Sequence, residues 1–257
     1  MADSRFLKVA KKAAIEAGKI VKEYYQSKLE LNSKGHFSNF ATQADLESEG
    51  KAIEIIKANF PDHNIVAEES GTVDNNSEYS WVIDPIDGTI PFVDGISTFG
   101  VSVGLLKNEK PFVGVINMVA QNEIFWAEEG LGAFKDGQQI KVRPEKSLEK
   151  STMAMEFGHE GRAVKLEKQF GPIVEKVRAV YVFGSAVKDL TSVAEGNLDA
   201  CFLQAHPWDF AAGAILVLEA GGKVSSPDGK EPEYLTPTYQ LICSNGLIHE
   251  DLVKVYN

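Results

Sequence analysis

The sequence predicts a mixed α/β (α+β) fold of packed layers, and three observations point to it. An amphipathic segment and a second helical stretch open the chain, a series of β-rich runs follows to about residue 146, and beyond that point strand and helix patterns alternate. With 257 residues and 44% hydrophobic content the chain can bury a real core. It reads as one compact domain, 1–257, with sub-halves of about 1–146 and 147–257, since no repeat, low-complexity tract or Pro/Gly/Ser-rich linker divides it.

Over residues 6–25 the apolar positions, among them Phe6, Val9, Ala13, Ala17, Ile20 and Tyr24, share one helical face. Residues 32–39 mix Ser, Gly and Asn without periodicity and read as a mobile loop. A second helix is expected over 45–59, closed by Pro61-Asp62. Short apolar strands at 64–67 and 80–83 each end in acid, Glu68-Glu69 and Asp84. Three more strands fit 98–128, with turns near Asn108-Glu109 and Gln121-Asn122, and Lys135-Asp136-Gly137 marks a further hairpin. The first half is thus a helix pair on a mainly antiparallel sheet. The second half reads strand 151–156, helix 162–177, strand 179–183, helix 185–195, strand 199–203 and helix 209–220. Gly221-Gly222 stops that helix, and a terminal helix ends at 253–255.

The 37 acidic residues outnumber 26 basic ones, and a formal charge of −11 leaves no broad cationic face for a nucleic-acid backbone. A small anionic ligand would need local neutralisation, for which a bound cation is the obvious device. Cys201 and Cys243 are too few for a disulfide framework and read as buried thiols of a reducing compartment. The first 12 residues alternate charge with apolar groups, unlike a signal peptide, and no run approaches the roughly 20 apolar residues of a membrane span. The expectation is a soluble cytoplasmic protein with no nucleic-acid or membrane partner.

The most informative segment is Trp81-Val82-Ile83-Asp84-Pro85-Ile86-Asp87-Gly88-Thr89. An apolar strand runs into Asp-Pro-Ile-Asp, and Pro85, lacking an N–H, is expected to stop it at Asp84 so that Asp84 and Asp87 bracket a sharp turn. Carboxylates held that close repel, so a buried pair needs a shared proton or a cation between them. Oxygen-only ligands favour a hard ion such as Mg²⁺ over zinc. Gly88-Thr89 can present backbone N–H groups to an anion, and the Thr89 hydroxyl can orient a water. Read alone, Asp87-Gly88-Thr89 is equally an Asp-capped surface turn, Asp209 in Trp208-Asp209-Phe210 an ordinary N-cap, and Glu68-Glu69 a solvated loop.

Taken together and in this order, Glu68-Glu69, Asp84-Pro85-Ile86-Asp87-Gly88-Thr89 and Trp208-Asp209 resemble the three-part signature of the inositol monophosphatase family of lithium-sensitive, Mg²⁺-dependent sugar phosphatases. The resemblance runs from the first helix to Gly222. It implies the layered α-β-α-β-α sandwich shared with fructose-1,6-bisphosphatase. It also implies two or three Mg²⁺ ions per site, held by Glu68, Asp84, the Ile86 carbonyl, Asp87 and Asp209. Catalytic roles are implied for Glu68, Asp87, Thr89 and Asp45, with Thr89 orienting the attacking water and Asp45 partnering it. Substrate contacts are implied for Asp87, Asp209, the Gly88 and Thr89 amides, and Gly184-Ser185-Ala186, while Lys34 matches a mobile-loop position near the metals. The implied reaction is hydrolysis of a phosphate monoester by in-line attack of a metal-activated water, in a homodimer acting on a small phosphorylated polyol or sugar.

Three departures bear on substrate. Ile90-Pro91 replaces the family's usual Asn region after the threonine, no arginine precedes Gly184, and the acid that reads inositol hydroxyls before Trp-Asp is missing from Cys201-Phe202-Leu203-Gln204-Ala205-His206-Pro207. Gln204 is either a neutral reader in its place or a plain surface amide, His206 is either a substrate contact or structural, and Glu69 either touches a further metal or caps its loop. Broad or non-inositol specificity is expected. Fructose-1,6-bisphosphate is the alternative substrate, with 3'-phosphoadenosine 5'-phosphate and histidinol phosphate more distant. The non-enzyme alternative is a regulatory binder that kept the fold.

Overall fold

The computed structural model describes residues 3–27, 32–36, 39–156, 161–237 and 239–257. Helix α1 (Arg5–Tyr24) starts where the Ser4 hydroxyl accepts the Leu7 N–H at 3.1 Å, and its stripe of Leu7, Ala10, Ala13, Ala14, Ala17 and Val21 is buried throughout. Strands β1 (Asn32–His36) and β2 (Asn39–Ala41) then pair antiparallel, Asn32 opposite Ala41 and Ser33 opposite Phe40. The loop expected over 32–39 is therefore a two-stranded ribbon as far as its residues are described. The run Asn32-Ser33-Lys34-Gly35-His36 carries no strand periodicity in the sequence, so its pairing with β2 is not legible there. Helix α2 (Gln43–Asn59) opens on a capping box between Thr42 and Asp45 and packs beside α1.

The main sheet is built from β3 (Asn64–Ala67), β4 (Gly71–Val73) and β5 (Tyr79–Asp87), then, after the short helix α3 (Thr89–Asp94), from β6 (Gly100–Lys107), β7 (Lys110–Met118), β8 (Glu123–Glu128), β9 (Gly132–Lys135) and β10 (Gln138–Ile140). Its order is β10-β9-β8-β7-β6-β5-β3-β4, antiparallel except where β3 runs parallel to β5. The expected turns take positive φ at Asn108, Glu109, Asn122, Asp136 and Gly137.

Pro85 does not stop β5. Asp84 pairs with Ser102 and Asp87 with Gly100, so Pro85 and Ile86 together face Val101 alone. This is a β-bulge, which accommodates the missing N–H of proline inside a central strand and carries the strand on to Asp87. The sharp turn expected between the two acids is this bulge.

The second half runs β11 (Thr152–Met155), α4 (Arg162–Lys165), one π-helical turn (Leu166–Phe170), α5 (Gly171–Val174), β12 (Ala179–Tyr181), α6 (Ala186–Ala194), β13 (Ala200–Ala205), α7 (Pro207–Glu219), β14 (Lys223–Ser225), β15 (Tyr239–Ser244) and α8 (His249–Tyr256). The helix expected over 162–177 is thus interrupted by the π turn and ends at 174. The five-stranded sheet has the order β12-β11-β13-β15-β14.

Three buried clusters define the layers. One lies between α1/α2 and the main sheet, through Ala14, Ile56, Trp81 and Val115. The second holds α6 and α7 between the two sheets, through Val82, Ile116, Leu190, Phe210, Leu203 and Cys243. The third covers the outer face of the smaller sheet with α5 and α8, through Met153, Phe202, Ile173 and Leu252. The result is the α-β-α-β-α sandwich. Among the described residues no helix is long and apolar enough to cross a membrane.

Helix α7 lies almost on the backbone of the main sheet. A Cβ at Gly114 would stand 2.3 Å from the Ala212 carbonyl oxygen, and one at Gly104 would stand 3.1 Å from the Ala212 nitrogen. Replacing Gly114 by Ala therefore forces the helix away. The change should cost about 1–3 kcal/mol in urea unfolding. By contrast Gly50, in α2, where a Cβ meets nothing within 4 Å, should gain about 0.5–1 kcal/mol as Ala. Equal effects at the two positions would contradict the close packing of α7.

Candidate active site

The carboxylates reach one place by strand register. Parallel pairing sets Ala67 beside Ile83, so Glu68 and Asp84 leave adjacent strands at the same level. The Glu68 N–H donates to the Ile83 carbonyl at 3.3 Å. Beyond the bulge comes Asp87. The fourth acid arrives from the other layer: Ser102, the cross-strand partner of Asp84, donates its hydroxyl to the Trp208 carbonyl at 3.1 Å, which fixes the first turn of α7 against β6. Asp209 follows, its Oδ2 accepting the His206 N–H at 2.7 Å. Asp84, Asp87 and Asp209 each bring a carboxylate oxygen to within 4.8 Å of the other two.

Asp87 is held by the start of α6. The Ser185 hydroxyl donates to Oδ1, joined by the Val187 N–H at 3.1 Å, and the Ala186 N–H donates to Oδ2 at 3.2 Å. The Ser185 hydroxyl and the Ala186 N–H, of a segment expected on the substrate, are directed at the acid in this structure, and the helix dipole favours that charge. The amides of Gly184 and Ser185 donate in turn to Glu156 Oε1 at 2.8 and 3.3 Å. Gly88, at φ +85°, could not carry a side chain: a Cβ would meet the Thr98 carbonyl at 2.7 Å and Ser185 Cβ at 3.0 Å. Its backbone therefore passes directly beside Ser185.

Burial pushes the carboxyls of Asp84 and Asp209 well above the usual range. Repulsion adds to it, chiefly from Glu68 on Asp84 and from Asp87 on Asp209. Burial also lifts Asp87 to about 7, against the lowering effect of its bonds from Ser185, Val187 and Ala186. Asp45 is raised to about 7 by burial, partly offset by Thr42, which donates its hydroxyl and its N–H to Oδ2 at 2.6 and 2.7 Å. Among the described residues no Lys or Arg forms an ion pair with these four acids. Clustered, largely buried and oxygen-only, the site fits a hard divalent ion.

Thr89 opens α3, and its hydroxyl donates to the Ile86 carbonyl at 3.1 Å. It is not hydrogen-bonded to Asp45, whose Oδ1 has no partner and whose Oδ2 is taken by Thr42. The Ile86 N–H turns back to Asp84 Oδ1 at 2.9 Å. His206 caps α7 and stacks on Trp208, with centroids 4.9 Å apart. Gln204 is set apart from the acids: β13 alternates, and Gln204 shares with Phe202 the outer face towards α8, lining a small cavity with Phe170, Gln240 and Tyr256. Lys34 lies on β1, and its side chain is outside the described residues. The sequence reading did not single out Glu49 or Glu156, whose place beside the site depends on backbone amides from other segments.

Comparison with known proteins supplies the family. The profile of the inositol monophosphatase family matches residues 2–257. A Thermotoga maritima protein named fructose-1,6-bisphosphatase/inositol-1-monophosphatase is 38% identical over 229 residues, 88% of this chain and 86% of the relative. A Synechocystis inositol-1-monophosphatase is 35% identical over 252 residues, 96% of this chain and 87% of the relative. The solved inositol monophosphatase of Anabaena superposes with a TM-score of 0.87 at 35% identity, over 97% of this chain and 94% of that one. Acids converging from β3, β5 and α7 and a family match along essentially the whole sequence lead to one conclusion: the chain belongs to the inositol monophosphatase family and is a sugar phosphatase, a phosphoric monoester hydrolase.

Proposed function

We propose that the protein hydrolyses inositol monophosphate and fructose 1,6-bisphosphate with Mg²⁺, two or three ions per site, held by Glu68, Asp84, the Ile86 carbonyl, Asp87 and Asp209. The observation that carries this is the trio of carboxylate oxygens within 4.8 Å of one another, two of the acids buried and the third half-buried. The dual name of the Thermotoga relative supports both substrates. Nothing in the site favours a nucleotide or histidinol phosphate over these. Family membership supports a homodimer, inhibition by lithium and a cytoplasmic place of work.

When bound, the divalent ions neutralise the carboxylates, act as Lewis acids on the phosphate and make the attacking water more acidic. The protein supplies the rest. Ser185 and the first amides of α6 hold Asp87 in one orientation, so no reorganisation is needed as charge develops. The Thr89 hydroxyl has its proton committed to the Ile86 carbonyl. It can therefore only accept a hydrogen bond from the water, which makes it an orienting group and not a relay. Asp45, with Oδ1 unpartnered, is the group that holds the proton released. The backbone N–H groups of Gly88 and Thr89 take phosphate oxygens. Gln204, on the far face of its sheet, has no part in reading the sugar, in keeping with broad specificity.

With Mg²⁺ both phosphates should be hydrolysed, and Asp87→Asn should lower kcat by at least about 10³-fold with an unchanged circular-dichroism spectrum. Turnover of neither compound, or near-wild-type turnover by the variant, would refute the reading. Stability should report the same acids. Because Asp45 and Asp87 are raised to about 7 in the fold, their protonated forms stabilise the metal-free protein at low pH, and that contribution is lost as pH rises through 7. The gain in Tm from added Mg²⁺ should accordingly be small at pH 5 and grow towards pH 8; a gain independent of pH would count against carboxylate ligands.

A further inference from the structure

Helix α2 carries a second buried acid one turn beyond Asp45. Glu49 is 2% exposed, and its carboxylate spans two consecutive amides of the segment after β3. Oε2 accepts the Glu69 N–H and Oε1 the Ser70 N–H, each at 2.8 Å. The amide just before them, that of Glu68, donates to the Ile83 carbonyl of β5. Three successive N–H groups are thereby tied, one to the strand that carries Asp84 and two to Glu49. Little backbone freedom remains at Glu68, and the direction in which its side chain leaves the chain is set. The i,i+4 spacing puts Asp45 and Glu49 on one face of α2, so the helix that presents Asp45 also braces the loop of Glu68.

The chemistry calls for a carboxylate. Two parallel N–H donors need two acceptors, whereas a glutamine offers one acceptor and turns an NH₂ towards the other N–H. An acid is costly to bury, all the more beside Glu68 and Glu69, and two charge-assisted bonds to the loop are what offsets that cost.

We propose that Glu49 is a positioning residue for Glu68, raising the affinity of the carboxylate site for divalent cations without touching them. The proposal rests on Glu68 being a ligand, as read above. Its test is calorimetric titration of Mn²⁺ into the full-length protein stripped with EDTA, which needs no turnover. Glu49→Gln should raise the Kd for Mn²⁺ roughly tenfold, about 1.4 kcal/mol, the worth of one hydrogen bond. Glu49→Asp keeps the charge but reaches only one amide, and should fall between wild type and Gln; it also serves should the Gln variant fold poorly. Once Glu68→Gln has weakened binding, adding Glu49→Gln should change nothing further, because the second residue acts only through the first. A purely structural role would lower the Tm in EDTA and leave the Kd of both Glu49 variants at the wild-type value, which would overturn the proposal. So would full additivity of the two substitutions. Wild-type affinity in Glu68→Gln would overturn the ligand assignment and Glu49's role with it, an outcome distinct from failure of the Glu49 variants alone.

Discussion

The protein is organised around a repulsion. Asp84 and Asp87 are buried and Asp209 is half-buried, and placing such groups within 4.8 Å of one another is unfavourable in any medium of low dielectric unless protons or cations intervene. A fold tolerates that arrangement only if its backbone leaves the side chains no escape. Nearly every unusual local feature near the site serves that end. The bulge at Pro85-Ile86 brings Asp87 round beside Asp84, the first turn of α6 grips Asp87, and the bond from Ser102 to Trp208 sets Asp209 opposite them.

The layers supply the rigidity. Parallel pairing of β3 with β5 is the exception in an otherwise antiparallel sheet, and it is this pair that levels Glu68 with Asp84. Glycines at 104 and 114 let α7 settle on β6 and β7, so its acidic first turn reaches the ends of the strands. The charged site thus sits where strand ends of the main sheet meet the starts of the two helices packed between the sheets. Helix N-termini facing that point favour negative charge.

Much of this was legible from residue types alone. Helix α1 followed from apolar spacing and α2 from the Pro61-Asp62 stop, the hairpins of the main sheet from Asn-Glu and Asp-Gly turns, and the alternation of the second half from its successive strand and helix patterns. The acids were identifiable because a carboxylate after an apolar strand is costly, and because three such segments in family order are specific. What escaped the sequence was set by partners distant along the chain. The ribbon pairs β2 with a strand, β1, whose polar residues show no periodicity. Proline predicted a strand end, and the extra residue of a bulge gave it another outlet. The side of the sheet to which Gln204 points depends on the register of β13, and a shift of one residue reverses it. Asp45 and Thr89 each find a nearer partner, Thr42 and the Ile86 carbonyl, before they could find one another. Glu49 looks like any helix glutamate until the amides of Glu69 and Ser70 are seen against it.

The claim beneath all of this is that the acids of β3, β5 and α7 form one cation site. Crystals grown with Mn²⁺ and measured at the manganese absorption edge test it without reference to turnover. Strong anomalous peaks should lie between the carboxylates of Asp84, Asp87 and Asp209, with Glu68 beside them; a map without signal there would contradict the account.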